Sequence, residues 1–268
     1  MRSLGRGASW WTGGSRRSCA RHLDQGISEK ASLAVTFGKP EEPSLHSSVG
    51  GDFEDRSMTK GDEFRYGAVR NAVHLCVDMQ RMFAGGTDWT MPWLPRILPN
   101  IVAITSAHPE RTIFTRFIPA QSSGQGVGMW RRYYERWSSM TIDNLGPEMV
   151  DLVPELARFV PPARTFDKFV YSPWIGSALH AQLGEADVKT VIVTGGETDV
   201  CVLATVLGAV DWGFRVILVA DALCSSADET HDSMMNIYMN RFGQQVECVA
   251  TETLLNNWPA NGQARLVS

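Results

Sequence analysis

Read for the spacing of its apolar positions, the chain from about residue 72 onward alternates between short β-branched runs and longer stretches of helical periodicity. The strand-like runs fall at 72–77, 111–115, 163–167, 189–194, 214–219 and 245–249. Between them the pattern predicts helices at 92–107, at 174–183, from Cys201 onward and at 228–242, and residues 251–257 follow the last strand. Pro92 sits near the start of the first, where a helix tolerates proline. In the third, Val202, Val206, Ala209 and Val210 recur on one face. Strands separated by helices of this length specify βαβ units. The expected class is α/β, a three-layer αβα sandwich around a mostly parallel, doubly wound sheet, with no internal repeat.

One interval breaks the alternation. Between Arg116 and Pro147 lie a glycine-rich run, 121–128, and then Met129-Trp-Arg-Arg-Tyr-Tyr-Glu-Arg-Trp137. Trp130, Tyr133, Tyr134 and Trp137 are spaced i, i+3, i+4 and i+7, one face of a helix, with arginines on the others. This stripe is open to three readings: a cap on a crevice, a contact with a neighbouring subunit, or packing on its own core. The glycine run lacks the Lys-Ser/Thr ending of a phosphate loop and does not directly follow a strand, so no nucleotide site is expected there.

The amino-terminal residues look different. Up to Leu23 there are five arginines and no acidic residue, a composition that a transit peptide would show. From Asp24 to Asp62 the chain is polar and without periodicity, which favours disorder. A disordered tail over 1–63, or translation starting at Met58, fits better than targeting, because the folded part reads complete without it. The expected folded domain then covers 64–258, with a short tail at 259–268.

Charge and cysteine usage narrow the function classes. The formal net charge is −4, so no basic field points to nucleic acid or an anionic membrane surface. No apolar run approaches the roughly 20 residues of a membrane span. The five cysteines, Cys19, Cys76, Cys201, Cys224 and Cys248, form neither a disulfide framework nor a CxxC pattern. A reducing, cytoplasmic setting is expected. None of the six histidines (22, 46, 74, 108, 180, 231) forms a ligand-spaced pair, and all are taken as surface or packing residues.

The candidate chemistry sits at strand ends. Val191-Ile-Val-Thr-Gly-Gly-Glu-Thr-Asp-Val-Cys201 runs from a buried strand through a turn into a helix, which puts Cys201 near a helix N-terminus. Backbone N–H groups and the helix dipole there favour thiolate over thiol, so a lowered thiol pKa is expected. Asp78 ends the first strand and Lys168 follows the third. A parallel sheet gathers such ends in one crevice even when they are far apart in sequence. A carboxylate can take a thiol proton, and an ammonium beside both steadies the two anions. Each residue alone reads as packing or surface charge; the combination carries the expectation.

Three motifs, Val77-Asp78-Met-Gln-Arg-Met-Phe83, Lys168-Phe-Val-Tyr-Ser172-Pro-Trp174 and Thr194-Gly-Gly-Glu-Thr-Asp-Val-Cys201-Val, resemble in order and spacing those of the isochorismatase-like cysteine hydrolases. That family includes nicotinamidases, N-carbamoylsarcosine amidases and ureidoacrylate hydrolases. The strand 213–222 also looks like the family's next one, and the resemblance covers about residues 70–258. It implies a catalytic triad of Asp78, Lys168 and Cys201, with Cys201 as nucleophile. It also implies a cis peptide between Gly196 and Glu197, whose surroundings would aim the N–H groups of Glu197 and Cys201 at an oxyanion. Phe83, Tyr171 and Trp174 become candidate pocket walls, with core packing as the alternative for each. Dimers or tetramers are common in the family, so a homodimer or homotetramer is implied, with the segment around Trp130 as the place for the contact.

Departures refine the expectation. Where nicotinamidases carry an Asp-x-His metal motif, this chain reads Thr115-Arg-Phe-Ile-Pro-Ala-Gln121. No metal and no cofactor are therefore implied. Isochorismatases proper work without the nucleophilic cysteine, so Cys201 argues against vinyl-ether cleavage. Glu197 stands where relatives often carry a small apolar residue. The leading expectation is a cofactor-free hydrolase cleaving the C–N bond of a small amide, carbamoyl or ureido molecule. A metal-dependent nicotinamidase and a catalytically silent, ligand-binding member of the fold are the alternatives.

Overall fold

The computed structural model describes residues 64–259. The expectations for residues 1–63 and for the tail beyond 259, with Cys19, His22 and His46, lie outside the described residues. Six strands, β1 (Ala72–Val77), β2 (Thr112–Phe117), β3 (Arg164–Lys168), β4 (Thr190–Gly196), β5 (Arg215–Cys224) and β6 (Val246–Val249), pair in parallel in the order β3-β2-β1-β4-β5-β6. The central β1 and β4 are buried along their whole length, as β-branched strands covered on both faces must be.

The helices are α1 (Arg81–Ala84), α2 (Leu94–Ala107), α3 (Met129–Arg136), α4 (Ile142–Leu145), α5 (Pro154–Ala157), α6 (Leu179–Glu185), α7 (Cys201–Asp211), α8 (Asp228–Asn240) and α9 (Thr251–Asn257). Leu94, Ile97, Ile101 and Ile104 of α2, with Leu254 of α9, pack on one face of the sheet. Leu179 and Leu183 of α6, Val202, Val206 and Ala209 of α7, and Tyr238 of α8 pack on the other. The sandwich is thus three layers deep with its order reversing between β1 and β4, the point where doubly wound sheets open a crevice. No described helix is long and apolar enough to cross a membrane.

Two predicted elements differ from those observed. The helix expected at 174–183 begins only at Leu179, because Pro173 and Gly176, the latter at φ 64°, interrupt it. β5 runs on to Cys224 through the polar Asp221, whose Oδ1 accepts the N–H and hydroxyl of Thr251 at 2.8 Å each and so anchors the start of α9.

Candidate active site

At the reversal point, β1 ends on Asp78 in the left-handed region, φ 52°, which Asp tolerates better than most residues. The opposing Gly195 is required: at φ 99° it lies in register with Val77, and a side chain there would strike the Val77 backbone. β3 ends on Lys168, and α7 begins on Cys201. Lys168 Nζ lies 2.7 Å from Asp78 Oδ2 and donates to Cys201 Sγ at 3.3 Å. All three side chains are buried. The Thr115 hydroxyl donates to Asp78 Oδ1 at 2.7 Å. Oδ2 faces the ammonium off the direction of a hydrogen bond, so its lone pairs stay available to a proton. Gly196–Glu197 is cis. Val200 and Val202 donate their N–H groups to Glu197 O at 3.1 and 3.0 Å, while the amides of Glu197 and Cys201 have no acceptor among the described residues.

An aromatic cluster flanks this centre. Trp89 packs against Phe83, Phe117, Tyr133 and Trp137 with ring centroids 5.9–6.3 Å apart, and Trp130 meets Tyr171 edge-on at 4.9 Å. Lys168 Nζ lies 5.0 Å from the Phe117 ring centroid. Tyr133 and Tyr171 meet edge-on with ring centroids 6.4 Å apart and lie within electrostatic reach of the Cys201 sulfur. The α3 stripe therefore roofs the crevice within its own chain.

The family model described as "Isochorismatase domain" matches residues 72–249, two-thirds of the chain. The chain belongs to the isochorismatase family. An uncharacterized isochorismatase family protein of Bacillus subtilis (strain 168), PncA, is 31% identical over 86 residues, covering 32% of this chain and about half (47%) of that protein. Two Arabidopsis thaliana relatives match over 85% of their own length. One, named a probable inactive nicotinamidase, is 25% identical over 60% of this chain; the other, nicotinamidase 3, is 26% identical over 66% of it. Among solved structures, a cysteine hydrolase from Pseudomonas syringae pv. phaseolicola 1448A superposes with a TM-score of 0.61 at 21% identity, over 71% of this chain and 94% of that one, a likeness of fold.

The electrostatics of this isochorismatase-family site correct one expectation. The Cys201 thiol pKa is raised, not lowered: burial comes first and the Asp78 carboxylate adds to it, while Lys168 opposes both. Desolvation outweighs the helix N-terminus, so in the closed crevice the proton rests on sulfur. Burial would lower the Lys168 ammonium, but Asp78 and Cys201 more than offset it and the net shift is upward.

Of the proposed pocket walls, Phe83 and Tyr171 lie in the aromatic cluster. Trp174 does not. Its indole donates to Thr205 O at 2.9 Å, stacks on Phe214 and fills the space a side chain at Gly208 would need, so it packs against α7 in the core. Thr115 was not singled out, because a threonine inside a β-branched run reads as an ordinary strand former. Two of the described histidines are packing residues: His108 stacks on Trp258 and His180 on Trp212. Among the described residues no three His, Cys, Asp or Glu side chains gather as a metal site.

Thr115→Val would leave Asp78 Oδ1 buried without its donor. We expect a loss of about 1–3 kcal/mol in urea unfolding; an unchanged midpoint would mean that the hydroxyl does not hold the carboxylate.

Proposed function

We propose that the protein is a cysteine hydrolase that cleaves the C–N bond of a small amide, carbamoyl or ureido molecule through a thioester. The observation that carries the reading is the single ammonium of Lys168 set against both Asp78 and Cys201. Asp78 accepts the proton of the Cys201 thiol through Oδ2, and Lys168 stabilises the thiolate as it forms. The sulfur attacks the carbonyl carbon. The resulting oxyanion is met by the free amides of Glu197 and Cys201, an arrangement that contributes around 3 kcal/mol in other enzymes. Asp78 returns the proton to the departing amine or ammonia. It then takes a proton from water, which opens the thioester and releases the acid and the thiol. Every proton transfer runs through one carboxylate, and no cofactor enters.

Amide chemistry is supported by the family and by the relative named nicotinamidase 3. The relative named probable inactive favours a second reading, a silent binding member of the fold. An ammonia-release screen over small amides and ureido compounds decides between them. Release by the native protein that disappears in Cys201→Ala, with unchanged thermal unfolding, is expected. Release of equal rate from Cys201→Ala would overturn the nucleophile.

A further inference from the structure

The chain from Glu197 to Cys201 joins β4 to α7 and carries the two free amides of the site. An N–H group that is to meet an oxyanion must already point at it, because turning a peptide during the reaction forfeits the stabilisation. What holds this stretch lies largely outside it. Thr198 is fully buried and has all three of its polar groups engaged. Its N–H and its hydroxyl both donate to Cys224 O at the end of β5, at 3.0 Å each. Its carbonyl accepts the hydroxyl of Tyr238 at 3.0 Å. His231 Nδ1 lies 2.9 Å from the Thr198 hydroxyl and is the donor there, since the hydroxyl hydrogen goes to Cys224 O. The next residue is tied as well: the Ser225 hydroxyl donates to Asp199 Oδ1.

His231 and Tyr238 are spaced i and i+7 on one face of α8, two turns apart. A helix that contributes nothing to Asp78, Lys168 or Cys201 thus grips Thr198 by its hydroxyl and by its carbonyl. A peptide unit is planar, so each backbone bond fixes a whole plane. The Thr198 N–H fixes the plane it shares with Glu197, and the Thr198 carbonyl fixes the next. The N–H groups of Val200 and Val202 close on Glu197 O from the other end. The free amides of Glu197 and Cys201 lie on either side of these fixed planes. The junction borders a cavity of about 330 Å³ whose walls include Cys224, Ser225 and His231, so hydrogen bonds rather than close packing set the position there.

We infer that Thr198 is a positioning residue for the oxyanion hole, held to that role by Tyr238 of α8. The inference rests on the proposed attack of Cys201 on a carbonyl and assigns α8 a part in that step. A buried hydroxyl that only satisfied its neighbour would stabilise the fold without favouring one reaction of the thiol over another.

Two reagents separate these roles. p-Nitrophenyl acetate acylates Cys201: sulfur bonds to the carbonyl carbon, an oxyanion forms and collapses, and p-nitrophenolate leaves. Iodoacetamide alkylates the same sulfur at a CH₂ carbon, displacing iodide without an oxyanion. In both reactions Asp78 takes the thiol proton. Acylation is read as p-nitrophenolate released above the Cys201→Ala background, and alkylation by peptide mass spectrometry. Tyr238→Phe should lower the acylation rate about tenfold and Thr198→Val about 10–100-fold, with alkylation within about twofold of native. Thr198→Ser keeps the hydroxyl and should restore acylation to near the native rate. An acylation-to-alkylation ratio within about twofold of native in both Tyr238→Phe and Thr198→Val overturns this inference alone, whether the two rates fall together or neither moves. No reaction of native Cys201 with either reagent overturns the nucleophile and the inference with it.

Discussion

Asp78→Asn should abolish amide hydrolysis while making Cys201 easier to alkylate, two effects of opposite direction from one atom pair. The carboxylate is the base that the proposed proton route uses, and a positioned base contributes on the order of 10²–10⁴ in rate. With water activation routed through the same oxygen, we expect kcat/KM to fall about 10³-fold or more. Yet the carboxylate is also, after burial, what holds the thiol pKa up. Its removal leaves Lys168 facing sulfur without a competitor, so the midpoint of the iodoacetamide pH profile should move down. Lys168→Met should move both readouts the same way. It removes the group that opposes the raised thiol pKa and leaves Asp78 as an unpaired buried charge, a defect that costs about 3–5 kcal/mol in other proteins. If alkylation and hydrolysis fall together in Asp78→Asn, the carboxylate does not face the thiol as described, and the proposed proton route is wrong.

The contrast between these variants also shows where the sequence stops being informative. Which residues meet was legible: Asp78 follows one strand, Lys168 ends another and Cys201 opens a helix, and parallel strands can only gather such ends on one side. β1 is observed over 72–77 as expected, because its run is apolar but for His74 and stops at Asp78. The protonation state was not legible. A helix N-terminus can be seen in a string of residues, but the desolvation that outweighs it depends on the aromatic roof of α3, Trp89 and Tyr171, which the alternation of strands and helices does not place. Trp174 was misplaced for a related reason. Its proximity in sequence to Lys168 suggested a wall of the crevice, whereas Pro173 and Gly176 turn the chain and the indole is spent on the Thr205 carbonyl.

Acid should destabilise this fold steeply through one residue far from the chemistry. His74, in the middle of β1, is fully buried between two strands. Its Nε2 meets the Thr194 hydroxyl at 2.8 Å and its Nδ1 the Thr112 hydroxyl at 3.2 Å. Because the Thr112 hydroxyl donates to His108 O, Nδ1 is the donor toward it, and in the neutral ring Nε2 accepts from the Thr194 hydroxyl. Burial, with a smaller contribution from His108, lowers the pKa from 6.5 to about 3. A group whose folded pKa is depressed contributes stability that is fully present above its unfolded value and is lost as pH falls toward the folded one. Here the window is pH 6.5 down to about 3, and the full loss across it is about 5 kcal/mol, comparable to the whole stability of many domains. Below pH 6 the slope attributable to His74 approaches about 1.4 kcal/mol per pH unit. His74→Gln offers an N–H donor and a carbonyl acceptor but does not titrate. In urea unfolding between about pH 6 and pH 4 its stability should therefore fall less steeply than that of the native protein by that amount. Parallel slopes for the two proteins would mean that the buried ring accepts its proton without unfolding the sheet, and that the threonine pair does not enforce neutrality.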